Sequence, residues 1–456
     1  SYSKFGNHLG RGEKRERVMS VGRVQTPALA MIVNRDIEIE NFVPKDHFSI
    51  TGLFSASGSG ALPGNYSPKV TREIIDSAPA GVTWEQSKTP PKNENDDPLE
   101  RPLYTGKDEV ESFKARLLQN ADKAYVQKYD ESERISHPPK TFDLAEAQSA
   151  LGNACGISPN LAQTVFEDLY EQGWTSYART SKSELPNNFY EPEYRNGLFE
   201  SLKQLPEVSD KASLAQSIHN GENAEIKPFK PEVFTSKQME HWGIIPTQQV
   251  MTQSAFASLT PKKKEKGKSH TKEHMQMAYM LVAKQFIQAM LPPARFASQK
   301  VTFAVPVKDM LGHDEAVFVA KGEKLIYPGW MSAFKGTDKK DSSFPAVSKG
   351  SQAKVEDVTL KASKTKPPTR YTEVNYPKAM ANVGKNVVDP KLRKLLVNSE
   401  GIGTPATRKT IIETLIVRGY IEVKKGTLYS TQKGRDVIKN VPKWMSSPET
   451  TALWED

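Results

Sequence analysis

A tyrosine and an arginine lie two residues apart near the middle of the chain, at Tyr177 and Arg179. Residues 167–173 have the pattern of a helix that ends at Gly173, and we predict that a short strand follows it. Because a strand alternates its faces, a phenol and a guanidinium two residues apart would share one face. This pair suits attack on a phosphodiester: the phenol oxygen is the nucleophile, and the guanidinium holds the phosphate and offsets its developing charge. The two residues alone leave open the alternative of a half-buried strand tyrosine beside a surface arginine.

The helix before Tyr177 belongs to an internal repeat. Residues 156–174 start with Gly-Ile-Ser-Pro and end with Gly-Trp, and residues 401–420 start with Gly-Ile-Gly-Thr-Pro and end with Gly-Tyr. In the second copy, residues 420–423 and 427–430 predict a β-hairpin around Lys-Gly. Helices followed by a hairpin indicate a winged helix, which binds nucleic acid in many proteins and other proteins in some.

Composition and charge narrow the class of protein. The chain has 456 residues, of which 37% are hydrophobic, and a formal net charge of +9. Its length predicts several domains, and its charge favours a polyanion such as DNA over a membrane surface as the partner. Residues 275–291 are the most apolar stretch, but Lys284 and Gln285 interrupt them, so we expect no membrane span. Without a recognisable signal peptide, and with Cys155 as the single cysteine, a cytoplasmic location is expected.

Hydrophobic periodicity changes along the chain. It predicts a helix over residues 26–42, with Thr26 as its N-cap and Pro27 in its first position. Residues rich in Gly and Pro, 55–98, predict exposed loops. Strands are predicted at residues 48–52, 125–126, 301–307 and 316–320. Two β-rich stretches therefore flank a central helical region and could pair into one domain that this region interrupts.

Two further groups of residues surround predicted helix starts, where free backbone N–H groups favour anions. The groups are Ser20, Arg23, Gln25 and Thr26 before the first helix, and Thr404, Thr407 and Arg408 at the second winged unit. We interpret both groups as phosphate-holding, DNA-binding sites. Plain N-capping by the threonines uses the same atoms and does not exclude this interpretation.

Four blocks of the chain resemble the type IA DNA topoisomerases. The most specific is Glu-x-Leu-Tyr-Glu, a three-residue gap and Thr-Ser-Tyr-x-Arg-Thr-Ser, at residues 167–181. Residues 20–27 are similar to the family's Gly-Arg-Val-Gln block, and residues 241–247 to its His-x-Ala-Ile-x-Pro-Thr block. Residues 401–408 are similar to its Gly-x-Gly-Thr-x-Ala-Thr-Arg block, with variants that point to the topoisomerase III branch. The resemblance extends over about residues 18–454.

This resemblance implies an α+β multidomain fold. Two winged-helix-like domains and a β-rich arch would enclose a DNA-sized hole. Residues 1–41 and 363–456 would form one winged-helix-like, DNA-binding domain, and residues 42–138 and 293–362 the arch. Residues 139–292 would form the second winged-helix-like domain, which carries the active-site tyrosine.

The resemblance also implies a reaction and roles for three residues. Tyr177 would cut one DNA strand through a 5′-phosphotyrosine intermediate, Arg179 would hold the scissile phosphate, and His241 would assist as a hydrogen-bond donor or in proton movement. Strand passage and religation would follow without ATP, which would relax negative supercoils and decatenate DNA. The implied partners are single-stranded DNA and negatively supercoiled or catenated duplex DNA near the nucleoid or a plasmid, with no membrane. A TOPRIM domain in trans and a helicase are candidate protein partners.

The chain departs from the family pattern in three places. Ser181 stands where the family usually has an aspartate, and Trp242-Gly243 replaces a polar residue and an alanine. The family's Mg²⁺ site and a catalytic glutamate lie in an N-terminal TOPRIM domain, and no Asp-x-Asp pattern has a suitable strand–loop setting here. We therefore expect no metal ligands in this chain, and interpret it as a fragment that binds single-stranded DNA but relaxes supercoils poorly or not at all by itself.

Two other functions remain open from the sequence. A non-catalytic module that binds single-stranded DNA or shapes DNA could keep this fold without the chemistry. A tyrosine recombinase or relaxase is a third possibility, although the scattered histidines do not form the metal-binding triad of relaxases.

Overall fold

The computed structural model describes residues 22, 24–56, 60–86, 100–262, 270–334, 341–342, 346–386 and 401–447. The chain divides into two compact units. The first, called here the helical unit, comprises Ser1–Asn41, Pro138–Pro292 and Pro368–Asp456. The second, the β unit, comprises Phe42–His137 and Pro293–Pro367. The division into three domains stays a prediction.

Helices and strands alternate irregularly along the described chain, as expected for an α+β protein. The helices are α1 Gln25–Glu40, α2 Arg72–Asp76, α3 Lys107–Gln119, α4 Leu144–Cys155, α5 Pro159–Glu171, α6 Pro192–Lys203, α7 Pro206–His219, α8 Gln253–Ala257, α9 Lys272–Ala289, α10 Met331–Phe334, α11 Tyr376–Ala381, α12 Pro405–Val417, α13 Gln432–Asn440 and α14 Lys443–Ser446. The strands are β1 Asp46–Ala56, β2 Leu62–Tyr66, β3 Val82–Gln86, β4 Glu100–Tyr104, β5 Tyr125–Ser136, β6 Leu185–Pro186, β7 Phe234–Thr235, β8 Ala294–Val305, β9 Ala316–Tyr327, β10 Ala353–Lys364, β11 Ile421–Lys424 and β12 Thr427–Ser430. None of the helices described is long and apolar enough to cross a membrane.

The β unit is built on one antiparallel sheet. Its strand order is β3-β4-β1-β2-β9-β8-β5, and β10 pairs with β1 along the length of both strands. Stacked rings of Phe54 and Phe303, with centroids 4.5 Å apart, lie in its core. The predicted pairing of the two β-rich stretches is confirmed, because β1 joins β10 and β5 joins β8 across the intervening helical region.

The prediction of loops between residues 55 and 98 is wrong for the described part of that stretch. Strands β2 and β3 and the helix α2 lie within residues 60–86, and residues 87–98 lie outside the described residues. In β2, Gly64 is not a turn residue: a Cβ atom there would lie 3.2 Å from Phe318 Cβ and 3.4 Å from Phe54 Cε2. Glycine allows the strand to pack closely on these rings, a requirement that the local sequence does not show.

The first helix of the helical unit begins one residue earlier than predicted. Its N-cap residue is Val24, and Thr26 is not the cap. The Thr26 hydroxyl instead accepts a hydrogen bond from the Gly22 amide at 3.2 Å. Pro27 still lies in the first turn, where its missing N–H costs no helical hydrogen bond.

The internal repeat is confirmed in the backbone. Helices α5 and α12 both end at a glycine with positive φ, 79° at Gly173 and 68° at Gly419. In each copy the amide of the following aromatic residue donates to a carbonyl five residues back at 2.9 Å, as in a Schellman motif. After Gly419 the predicted hairpin forms between β11 and β12, around Lys425 and Gly426, which both have positive φ.

Candidate active site

The segment after Gly173 does not form the predicted strand. Its only regular pairing in the described structure is an isolated bridge between Thr175 and Pro246, because side chains compete for the backbone groups that a ladder would use. Ser176 donates its amide to the Ile245 carbonyl at 2.8 Å, and its hydroxyl accepts from the Ile245 amide at 3.0 Å. The same hydroxyl donates to the Gly243 carbonyl at 3.0 Å.

The predicted alternation of faces nevertheless holds. Ala178 and Thr180 are each 1% exposed, whereas Tyr177 is half-buried and Arg179 is exposed. The amide of Leu144 donates to the Thr180 carbonyl at 2.9 Å, which fixes the far end of the segment at the start of α4. Tyr177 and Arg179 therefore lie on the accessible side of an anchored, extended segment.

His241 lies against Tyr177. The centroids of the two rings are 4.6 Å apart, and the ring planes are inclined by 33°. Tyr170, from the last turn of α5, approaches Tyr177 from another side with its ring edge-on, at a centroid distance of 5.3 Å. The phenol thus lies between an imidazole and a second phenol, which limits the directions in which it can turn.

Arg179 is held by a chain of polar side chains that begins inside the helical unit. Its Nε donates to Glu167 Oε1 at 2.7 Å. The same carboxylate oxygen accepts from Gln163 Nε2 at 2.7 Å, and Gln163 Oε1 accepts from Gln148 Nε2 at 3.2 Å. The Glu167 hydrogen bond raises the pKa of the Arg179 guanidinium, so this group stays charged. Because the described bond uses Nε, the terminal nitrogens can form a fork for a phosphate.

Gly243 explains one departure from the family pattern. A Cβ atom on Gly243 would lie 1.8 Å from Thr141 Oγ1, so the alanine that the family usually has would collide with Thr141. The Gly243 amide also donates to the Glu184 carbonyl at 3.0 Å. Thr141 and Gly243 therefore form a close contact that fixes the segment carrying His241.

The first phosphate-site candidate is only partly described. Ser20 and Arg23 lie outside the described residues. Gln25 Oε1 accepts a hydrogen bond from Arg418 Nη1 at 2.5 Å. Arg418 is a residue that the sequence analysis missed. No motif marks it, because it approaches Gln25 only through the packing of α12 against α1.

The second predicted phosphate-binding group contains two exposed threonines and a buried arginine. Thr404 and Thr407 are exposed, and their hydroxyl oxygens lie 3.1 Å apart at the start of α12. Thr404 occupies the N-cap position but makes no side-chain capping hydrogen bond. Val24 Cγ1 would lie 3.2 Å from a Cβ atom on Gly403, so the two candidate groups are close in space.

Arg408 does not have the surface position expected of a phosphate ligand. It is 3% exposed, and its Nε donates to the Ile402 carbonyl at 3.2 Å. Its charge partly offsets the burial that raises the pKa of Asp143. Its role in the folded chain is thus internal, and we leave it out of the proposed DNA contacts.

The residues around Tyr177 do not fit a magnesium site. No group of three or more His, Cys, Asp or Glu side chains suited to a metal ion occurs within the described ranges. Glu167, a carboxylate next to this site, already forms an ion pair with Arg179.

Comparisons with known proteins identify relatives of this chain. A family model described as DNA topoisomerase matches residues 3–456. "DNA topoisomerase 3" of Pasteurella multocida (strain Pm70) is 28% identical, with 98% of this chain and 62% of the relative covered. "DNA topoisomerase 3" of Bacillus subtilis (strain 168) is also 28% identical, with 96% of this chain and 52% of the relative covered. This chain thus spans between half and two thirds of the length of these relatives.

A solved structure shows the same fold. Full-length topoisomerase I from Thermotoga maritima aligns with a TM-score of 0.59 and 20% sequence identity, covering 100% of this chain and 61% of that one. Together with the family match over nearly all residues, these relatives show that the chain belongs to the type IA DNA topoisomerases, in the topoisomerase III branch.

Proposed function

We propose that Tyr177 cleaves one strand of DNA and holds its 5′ end as a phosphotyrosine. The observation that carries this proposal is the half-buried Tyr177 ring against His241, with the anchored Arg179 on the same side of the segment. A tyrosine that served only as a packing residue would need neither an exposed arginine nor a buried chain of amides behind that arginine.

The chemistry is an exchange of one phosphodiester for another. The Tyr177 oxygen attacks phosphorus, the bond from phosphorus to the 3′ oxygen breaks, and that oxygen leaves as the 3′ hydroxyl after gaining a proton. The phenol proton leaves as the new bond forms, and a free phenol, with a pKa near ~10, needs help for that step at neutral pH. The reverse attack by the 3′ hydroxyl reseals the strand, so ATP is not consumed.

Arg179 and His241 act on the phosphate in this scheme. The guanidinium lowers the energy of the crowded anionic transition state because its charge and donors are already in place. His241 lies in ring contact with the nucleophile, where it donates a hydrogen bond to the phosphate or passes on a proton. Gln25, Thr26, Thr404 and Thr407, with Ser20 and Arg23, would hold the strand that leads to the site.

The activity of the whole protein extends this proposal. It would relax negative supercoils and decatenate DNA in the bacterial cytoplasm by passing a strand through the cut, with a helicase as a candidate partner. Mg²⁺ is the expected cofactor of the family, and we propose that a TOPRIM domain, not the residues described here, provides its site. The three-domain division and the enclosed hole belong to the same proposal.

One experiment tests the proposal. The chain is mixed with end-labelled single-stranded DNA, with and without a separately supplied TOPRIM domain and Mg²⁺, and denatured before electrophoresis. We expect a covalent adduct after complementation that is lost in Tyr177→Phe. DNA binding without any adduct, even after complementation, would instead support a non-catalytic binding module.

A further inference from the structure

A pocket of about 750 Å³ lies next to the segment that carries His241. Two chain segments line it: the one that begins at β6 and the one that begins at β7. The parallel pairing of Leu185 with Phe234 and of Pro186 with Thr235 holds these two segments together. The volume is within the range of pockets that take small organic ligands, roughly 300–1,000 Å³.

The pocket and the tyrosine site share the segment of residues 240–243. Glu240 and Trp242 line the pocket, whereas His241, between them, contacts the Tyr177 ring. Gly243 anchors this segment through the Glu184 carbonyl and the close contact with Thr141. Side chains alternate along this segment, so His241 lies towards Tyr177 whereas Glu240 and Trp242 lie towards the pocket.

Aromatic side chains form a firm wall of the pocket. The Trp242 ring meets Phe189 edge-to-face with centroids 4.9 Å apart. Phe189 is stacked on Tyr194 with centroids 4.3 Å apart, and this contact restricts the movement of the Phe189 ring. Trp242 itself is only half-buried, so this wall is not sealed in the core.

Polar groups of the pocket lining complete its chemistry. Lys237 and Glu240, one of each charge, both belong to the lining and are exposed. Trp242 Nε1 and Asn187 Oδ1 are buried and have no hydrogen-bond partner among the described residues. Such atoms cost about 1–3 kcal/mol each unless a ligand or water completes them.

We propose that this pocket binds one unstacked base of the single strand on which Tyr177 acts. This inference rests on the proposed function, since it needs single-stranded DNA at the Tyr177 site. The base contacts the aromatic wall, as bases do in proteins that bind single strands. Lys237, an exposed residue of the lining, binds the adjoining phosphate in this proposal. Binding there holds the strand on one side of the scissile phosphate and limits its sliding.

The test maps the base directly in the unaltered chain. Single-stranded oligonucleotides with 5-iodouracil at one position at a time are bound, irradiated and digested, and the crosslinked peptide is identified by mass spectrometry. We expect crosslinking to Trp242 or Phe189 from one or two adjacent positions near the cleavage point. An abasic site at that position should weaken binding about tenfold, equivalent to about 1.4 kcal/mol.

Variants separate this pocket from general DNA binding. Trp242→Leu should abolish the position-specific effect of the abasic site, whereas Trp444→Leu, at an exposed tryptophan of α14, should leave it unchanged. If the oligonucleotide binds and the Tyr177 adduct forms, but crosslinks fall elsewhere and abasic sites act equally at all positions, the pocket inference is wrong and the proposed function stands. An absence of any DNA binding would overturn both.

Discussion

Glu167 links the interior of the helical unit to Arg179, the residue that we propose holds the scissile phosphate. Replacing it with alanine removes the partner of Arg179 Nε at 2.7 Å and the acceptor of Gln163. A charge-assisted hydrogen bond contributes about 1.5–3 kcal/mol, and the Arg179 side chain is 44% exposed, so the low end applies. We therefore expect Glu167→Ala to slow adduct formation about tenfold, and Glu167→Gln to recover part of the loss because an amide oxygen still accepts a hydrogen bond.

The measurement is the rate of adduct formation at saturating DNA, with the affinity for DNA determined separately. A positioning role predicts a larger effect on the rate than on the affinity. Glu133→Ala is the matched control, because Glu133 faces Arg295 at 3.7 Å on the surface of the β unit. Equal rates in the two variants would show that the anchoring of Arg179 does not matter.

At the scale of elements, helix α4 and the segment of His241 each depend on one residue, Asp143 and Gly243, whose surroundings the sequence does not reveal. At the start of α4, Asp143 caps the helix by accepting the Glu146 amide at 2.7 Å. Burial raises the pKa of this carboxyl to about 6, against the lowering effects of the amide and of Arg408. The pKa of the Asp143 carboxyl is higher in the folded state than in the unfolded state. Between these two pH values the folded protein therefore keeps a proton on Asp143 that the unfolded chain has lost. Stability therefore falls as the pH rises from about 4 to about 6.

Asp143→Asn should remove this pH dependence while it keeps a good N-cap. A difference of about two pKa units is equivalent to about 3 kcal/mol, which we reduce to about 2 kcal/mol because Asp143 is not fully buried. The variant should thus melt at a higher temperature than the unaltered chain near pH ~8 and at the same temperature near pH ~4. Asp210→Asn, at an exposed position of α7, is the control. A constant difference across the pH range would contradict the assignment.

The extended segment of His241 depends on the contact between Gly243 and Thr141. In Gly243→Ala the new Cβ would lie 1.8 Å from Thr141 Oγ1, so the segment must shift. Overpacking of this kind costs about 1–3 kcal/mol, and here it also moves His241 relative to Tyr177. The free energy of unfolding, measured with a chemical denaturant, and the adduct yield should both decline. Thr141→Ala in the same chain should restore part of each.

Gly60→Ala is the control for this prediction, because no atom lies within 4 Å of its added Cβ. If Gly243→Ala resembles Gly60→Ala in both measurements, the contact does not position the segment.

The same elements show which features were predictable. The helix ends at Gly173 and Gly419 and the hairpin at Lys425-Gly426 follow from local turn chemistry, so the sequence predicted them correctly. The missing strand after Gly173, the strand through Gly64 and the burial of Arg408 depend on partners far along the chain. Tyr177, Arg179 and His241 were recognised as a group through the family motif, whereas Arg418 and the Gly243 contact became evident only in three dimensions.

At the scale of the whole molecule, the net charge of +9 predicts that DNA binding is largely electrostatic. Binding can therefore be measured separately from the reaction, which depends on Tyr177. Affinity for single-stranded DNA should fall with salt, with a slope of about −0.7 in log K against log [salt] for each phosphate neutralised. Arg179→Ala should reduce that slope by about 0.7, since one cation leaves the interface. Tyr177→Phe should leave it unchanged, because this change removes no cation from the interface, and yet it should abolish the adduct. Fluorescence anisotropy at several salt concentrations measures the slope. If Tyr177→Phe lowered the slope as much as Arg179→Ala, the loss of the adduct would reflect weakened binding, and the assignment of Tyr177 as the nucleophile would lose its support.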